Sequence, residues 1–182
     1  MLNVEDSILL IIDIQEKLLN AVFNKEVLEN RSEIMLKTAN ILNVPVFVTE
    51  QYPAGLGETV KKLKNMFLSD SQIFEKTDFN AFNNYEIFKN FSDQKRKQVL
   101  ISGIETHICV YQTAEFLVSN GYEVTIIVDA CGSRSAEEYE LGLKNLEGLG
   151  AKIKTTEMVI FELLKSAKHP NFKEIQALIK GK

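Results

Sequence analysis

The chain carries only two cysteines, two histidines and three prolines in 182 residues. Two cysteines do not make a disulfide framework in a chain of this size, so a reducing, cytoplasmic setting is the expectation. Lys and Arg number 21 against 25 Asp and Glu, a net charge of −4. Without a basic footprint no nucleic-acid partner is expected. No apolar run approaches the roughly 18 residues of a membrane span, so no membrane partner is expected either. The opening MLNVEDSILLIIDIQ has acids where a signal peptide has a basic segment, and no small-residue cleavage site follows. No G-x-G-x-x-G follows an apolar run, which weakens a nucleotide-binding reading. Pro/Gly/Ser linkers, internal repeats and low-complexity tracts are also missing, so one domain spanning 1–182 is expected.

What is present is an alternation of short apolar runs with helical patterns. Ser7 to Asp13 is a continuous Ile/Leu-rich run, the mark of a strand covered on both faces. Apolar residues recur from Lys25 to Leu42 at moderate helical spacing, and Val44 to Thr49 reads as the next strand. Glu50 to Gly57 is rich in turn formers; Glu58 to Met66 reads as a short helix and Ser71 to Lys76 as a short extended segment. Thr77 to Asn90 is the least periodic part, and 92–98 reads as a solvated basic loop. Val99 to Ile101 and Val124 to Val128 flank a helical stretch with Ala114, Leu117 and Val118, and Asn120-Gly121 stops that helix. This is a βαβ unit, with parallel strands and a right-handed crossover. Ala136 to Leu149, Ala151 to Thr155, Met158 to Leu164 and Phe172 to Ile179 add a helix, a last strand and two helices. The pattern predicts a single-domain three-layer α/β/α fold with a mostly parallel sheet of five or six strands.

Three ionisable residues stand at or near strand carboxyl ends, where open α/β sheets bind ligands: Asp13, Lys76 and Cys109. Each has a plain structural reading, as turn cap, surface lysine and small core residue. Together they offer an acid that takes a thiol proton, a cation that steadies charge, and a nucleophile. With Thr106 as N-cap, Cys109 falls in the first helical turn, where free N–H groups and the helix dipole are expected to lower its pKa.

The segments LLIIDIQ (Leu9 to Gln15), FEKTDFNAF around Lys76, GIETHICV (Gly103 to Val110) and VDACGSRS (Val128 to Ser135) resemble the isochorismatase-like cysteine hydrolases. TEQYPAGLG (Thr49 to Gly57) and HPNFKEIQALIK (His169 to Lys180) resemble the isochorismatase domain-containing branch of that family. The resemblance implies a Rossmann-like fold and a triad of Asp13 as base, Lys76, and Cys109 as nucleophile. It also implies a non-proline cis peptide at Ile104–Glu105, with the N–H groups of Glu105 and Cys109 as oxyanion hole. Gln15, Gln51, Tyr52, Phe82 and Thr106 are the implied pocket residues.

The implied activity is hydrolysis of a small amide, carbamoyl or related C–N bond through a thioester. Vinyl ether cleavage of the isochorismate type and a non-catalytic scaffold are the alternatives, the former disfavoured by Cys109. Nicotinamidases of the family hold a metal with an Asp-x-His pair and a later His. Here Glu50-Gln51-Tyr52 stands in that loop and the histidines are His107 and His169, so no metal and no cofactor is expected. His107 is expected to pack or hydrogen-bond, Cys131 to be structural, and Arg134 to meet either an anionic substrate or a helix-start carboxylate. The expected partners are a small-molecule substrate and, by resemblance, further copies of the chain in a dimer or larger homo-oligomer.

Overall fold

The computed structural model describes residues 1–69 and 71–181. Its strands are β1 (Ser7–Ile12), β2 (Val46–Gln51), β3 (Gln72–Lys76), β4 (Gln98–Ile104), β5 (Glu123–Gly132) and β6 (Lys152–Lys154). They form one six-stranded sheet in the order β3-β2-β1-β4-β5-β6, and every pairing is parallel. The sheet expected to be mostly parallel is thus parallel throughout the described residues.

Two apolar layers cover the sheet, and the two-residue period of β1 feeds both. Leu9 and Ile11 join the layer built with α1 (Glu16–Ala21), α2 (Lys25–Leu42), α8 (Thr156–Leu164) and α9 (Phe172–Lys180). Ile8, Leu10 and Ile12 join the layer built with α5 (Tyr85–Ser92), α6 (Tyr111–Ser119) and α7 (Ala136–Gly148). All six β1 residues are buried, which is why this strand reads as an unbroken apolar run rather than an alternation. Two one-turn helices, α3 (Pro53–Leu56) and α4 (Lys61–Lys64), lie between β2 and β3.

Chain order reverses between β1 and β4: the chain winds outward from β1 through β2 to β3, then returns to place β4 on the other side of β1. This topological switch opens a crevice at the carboxyl ends of β1 and β4. Gly103 lets the two strands close there. A Cβ on it would lie 2.4 Å from the Ile12 carbonyl oxygen, its partner in register.

Several boundaries differ from the sequence expectation, each for a physical reason. β5 runs past Asp129 to Gly132, because that carboxylate has partners: the N–H and hydroxyl of Thr156, at 2.7 and 2.8 Å, and Arg31 at 3.5 Å. The aperiodic 77–90 stretch and the start of the basic loop hold α5, capped by Asn84 through the N–H groups of Glu86 and Ile87. Its Phe91 is fully buried, within aromatic contact of Phe47 and Phe82. The helix expected over Glu58 to Met66 is only the turn α4, and α1 was not expected. Of the basic 92–98 loop, Arg96 holds the amino-terminal end of the central strand β1, donating to the carbonyls of Val4 and Ser7.

Candidate active site

Asp13 follows β1 with φ at +52°, a left-handed turn that lifts its carboxylate over the strand end. The carboxylate is fully buried, and each oxygen has its own donor. Lys76 Nζ lies 2.6 Å from Oδ2, and the Thr49 hydroxyl lies 2.7 Å from Oδ1. Lys76 ends the edge strand β3 and reaches across β2 to make this contact. Its ammonium has three N–H donors and three acceptors: Asp13 Oδ2, Gln51 Oε1 at 2.7 Å and the Asp78 carbonyl at 3.2 Å. Burying such a pair costs several kcal/mol per ion before hydrogen bonding offsets it. Fully buried Leu and Ile side chains in β1, at about 1.5–3 kcal/mol each, help carry that cost.

Gln15 and Gln51 frame the pair. Gln15 Nε2 donates to the carbonyls of Gln51, at 3.0 Å, and Gly57, at 2.5 Å, and its Oε1 accepts the Gln51 N–H at 2.7 Å. Gln15 is fully buried, so it locks the 51–57 loop to β1 from behind. Phe82 is buried within aromatic contact of Phe88, Phe91 and Phe116 and does not line the cavity beside Lys76. Tyr52 is 58% exposed and takes the left-handed conformation at φ +38°. It lines a cavity of about 330 Å³ beside Lys76, with Pro53, Glu75, Thr77, Asp78 and Asn84. A groove of about 370 Å³ over Glu16, Lys25 and Glu29 is somewhat larger, but it borders none of the buried ionisable groups.

Cys109 lies beyond β4 in a single π-helical turn, Thr106–Val110, which runs into α6. Thr106 is the first residue of that turn and not its cap. Glu105 holds the cap position, its carbonyl accepting from the N–H groups of Ile108 at 3.0 Å and Val110 at 3.2 Å. The Thr106 hydroxyl is buried and has no partner among the described residues. The Ile104–Glu105 peptide is cis, as the resemblance implies.

The expectation of a lowered thiol pKa is overturned. Burial first, then the negative charge of Asp13, push Cys109 up from 9.0 to about 12, while Lys76 pulls the other way. With Cys109 only 6% exposed, desolvation outweighs the turn's N–H groups. The thiol therefore rests protonated, with Asp13 and Lys76 both acting on it. The structure thus brings Asp13, Lys76 and Cys109 together from three separate strand ends.

On the far side of the turn, Arg134 Nε donates to Glu105 Oε1 at 2.8 Å, so its partner is a carboxylate of the chain. His107 Nδ1 lies 3.0 Å from the Ser133 hydroxyl, the hydrogen-bonding role expected of it. Gly142 of α7 gives the turn room, since a Cβ there would come within 3.1 Å of the His107 backbone. Cys131 is fully buried. The residue that sequence reasoning missed is Thr49. Its only signal was a hydroxyl at the carboxyl end of an otherwise apolar run.

An open parallel sheet with buried ionisable groups gathered at its switch point defines an α/β protein whose ligand site lies at the strand carboxyl ends. The chain belongs to the isochorismatase family: the Isochorismatase domain model matches residues 7–158. It is 40% identical to Isochorismatase family protein 1A of Dictyostelium discoideum over 176 residues, 94% of this chain and 85% of that one. To Isochorismatase domain-containing protein 2 of Bos taurus it is 40% identical over 174 residues, 96% of this chain and 83% of that one. Among solved structures it is similar to the MAR1 ribonuclease of Caenorhabditis elegans. The TM-score is 0.93 at 36% identity, covering 98% of this chain and 92% of that one. The architecture is that of an isochorismatase-family hydrolase.

Proposed function

We propose that the chain is a cysteine hydrolase of small amide, carbamoyl or related C–N bonds, working through a thioester on Cys109. The observation that carries this reading is the buried Lys76–Asp13 pair, 2.6 Å apart, acting on a protonated and equally buried thiol. A resting thiol near 12 needs a base at the moment of attack, and Asp13 is the group placed to supply it.

The steps balance without a cofactor. Asp13 takes the Sγ proton as sulfur attacks the substrate carbonyl carbon, and the carbonyl oxygen becomes an oxyanion held by the N–H groups of Glu105 and Cys109. The C–N bond breaks, and the amine leaves with the proton from Asp13. Water then attacks the thioester, giving its proton to Asp13. The acid departs and the proton returns to sulfur. Lys76 stays an ammonium throughout, its three donors committed to Asp13, Gln51 and the Asp78 carbonyl. Substrate enters by the cavity beside Lys76, which Tyr52 lines; Gln15, Gln51, Phe82 and Thr106 are the further residues of the proposed pocket.

The test is a screen of small amides and carbamoyl compounds with intact-mass detection of an acyl adduct. An adduct on Cys109, absent in Cys109→Ala, supports the reading. Wild-type turnover by Cys109→Ala would sink it in favour of a water-based or vinyl ether reaction, and no turnover of any compound favours a scaffold. The C. elegans protein's name raises RNA as a substrate, but a chain with net charge −4 lacks the footprint that holds phosphates. Exposed Phe79 and Tyr85 give apolar surface that a second copy would cover in the proposed homo-oligomer, which sedimentation tests. No helix among the described residues is long and apolar enough to cross a membrane. The cytoplasmic setting is part of the same proposal and is tested by fractionation.

A further inference from the structure

Asp13 is held twice by one residue. Thr49 pairs with Ile12 across the β1–β2 ladder, one residue short of Asp13. Its carbonyl accepts the Asp13 N–H at 3.1 Å, and its hydroxyl reaches Asp13 Oδ1 at 2.7 Å. An ionised carboxylate only accepts, so the hydroxyl proton points at Oδ1. Thr49 is 1% exposed, and Asp13 is fully buried.

The face it occupies matters. Side chains alternate along a strand, so Thr49 shares a face with Phe47. Phe47 and Cys109 belong to the same apolar layer, which puts the Thr49 hydroxyl on the Cys109 side of the sheet. Lys76 is itself fixed by three acceptors and takes Oδ2. Lys76 at Oδ2 and the Thr49 hydroxyl at Oδ1 together set the rotation of the Asp13 carboxylate, and of the two only Thr49 comes from the Cys109 face.

We propose that Thr49 is a positioning residue for the reaction: its hydroxyl fixes the rotation in which the Asp13 carboxylate receives the Cys109 proton. The inference rests on the reading of Asp13 as base and adds the residue that aims it. Backbone pairing with β1 already secures the strand end, so a purely structural role does not require a hydroxyl here.

The probe is iodoacetamide, which alkylates Cys109 without a known substrate, followed by intact mass and peptide mapping at neutral pH. There a thiol raised to about 12 reacts only as fast as a base takes its proton. Thr49→Val and Thr49→Ala should lower that rate roughly tenfold, the worth of a hydrogen bond to a charged group. Thr49→Ser should restore it. Two hydroxyl-free variants are carried so that a folded one is available, with urea melts to establish folding.

Folded Thr49→Val or Thr49→Ala with the wild-type rate overturns the inference. So does Thr49→Ser as slow as Thr49→Val, since a hydroxyl at this position would then not be what sets the rate. Asp13→Asn separates this from the reading beneath it. If Asp13→Asn keeps the wild-type rate, Asp13 is not the base. If Asp13→Asn slows alkylation while the Thr49 variants do not, only the role of Thr49 falls.

Discussion

Lys76 Nζ stands 2.6 Å from Asp13 Oδ2, and the two side chains are 1% and 0% exposed. At that burial neither charge has water to fall back on, so the pair stands or falls together. Lys76→Met leaves a buried carboxylate without its cation and should destabilise the fold by about 3–5 kcal/mol. Adding Asp13→Asn to Lys76→Met removes the orphaned charge and should recover much of that loss. Urea melts of the two variants decide it. A double mutant less stable than Lys76→Met would show that the pair does not act as a unit.

Turnover should respond differently from stability. Cys109→Ala, Asp13→Asn and Lys76→Met should each abolish most activity, and the double mutants should be hardly worse than the singles. Single-turnover kinetics on whichever amide or carbamoyl compound the screen returns provides the measurement. Losses that multiply across the doubles would mean that the three side chains work separately.

Much of this arrangement was legible because burial on both faces writes itself as unbroken apolar runs: β1, β2, β4 and β5 read as such. Asp13 and Cys109 followed from where those runs end. Lys76 was harder, since β3 is an edge strand of five residues with two exposed ones, and its lysine looks like surface until the reach across β2 is seen. The thiol pKa was misread because helix-end polarity is visible in a sequence and desolvation is not. α5 was missed because its Phe and Ile contacts lie within one aromatic cluster and its helix has barely two turns to show a period. Thr49 needed the cross-strand register, which no single run contains.

The buried thiols predict a limit on alkaline stability. Burial pushes Cys131 from 9.0 to about 12, and Cys109 reaches about 12 as well; burial also raises the Tyr139 phenol. Above pH 9 the unfolded chain loses these protons while the folded chain keeps them. The folded state then binds more protons, so its stability falls as pH rises. The contribution is complete below about pH 9 and is lost progressively toward about pH 12. Urea melts between pH 8 and pH 11 should show that decline, and Cys131→Ala should make it shallower. An unchanged slope in Cys131→Ala would remove that thiol from the account.

Chelation should leave activity intact. Among the described residues no three of His, Cys, Asp and Glu are grouped to hold a metal ion. His107 Nδ1 faces the Ser133 hydroxyl, and His169 Nδ1 accepts the N–H of Asn171 at 3.2 Å. Dialysis against a strong chelator, followed by the amide screen, checks this. Activity lost to the chelator and regained with zinc would show that the site includes a metal.

Gly103 sets the spacing between Asp13 and Cys109. Gly103 has φ at +155°, and a Cβ on it would sit 2.4 Å from the Ile12 carbonyl oxygen, 2.7 Å from Ile12 Cβ and 2.9 Å from Ile12 N. Two of those atoms are backbone, so no rotamer change relieves the contact; β4 must move away from β1. Asp13 directly follows Ile12, and the turn bearing Cys109 starts three residues after Gly103, at Thr106. Separating the strands therefore separates Asp13 from the Cys109 thiol. Gly103→Ala should cost about 1–3 kcal/mol, as overpacking does. It should also lower the rate of Cys109 alkylation in the protein that remains folded. Gly148→Ala is the control, because nothing lies within 4 Å of its Cβ and α7 gains a better helix former. Gly103→Ala matching Gly148→Ala in both stability and alkylation rate would mean that strand contact at Ile12 does not govern the Asp13–Cys109 geometry.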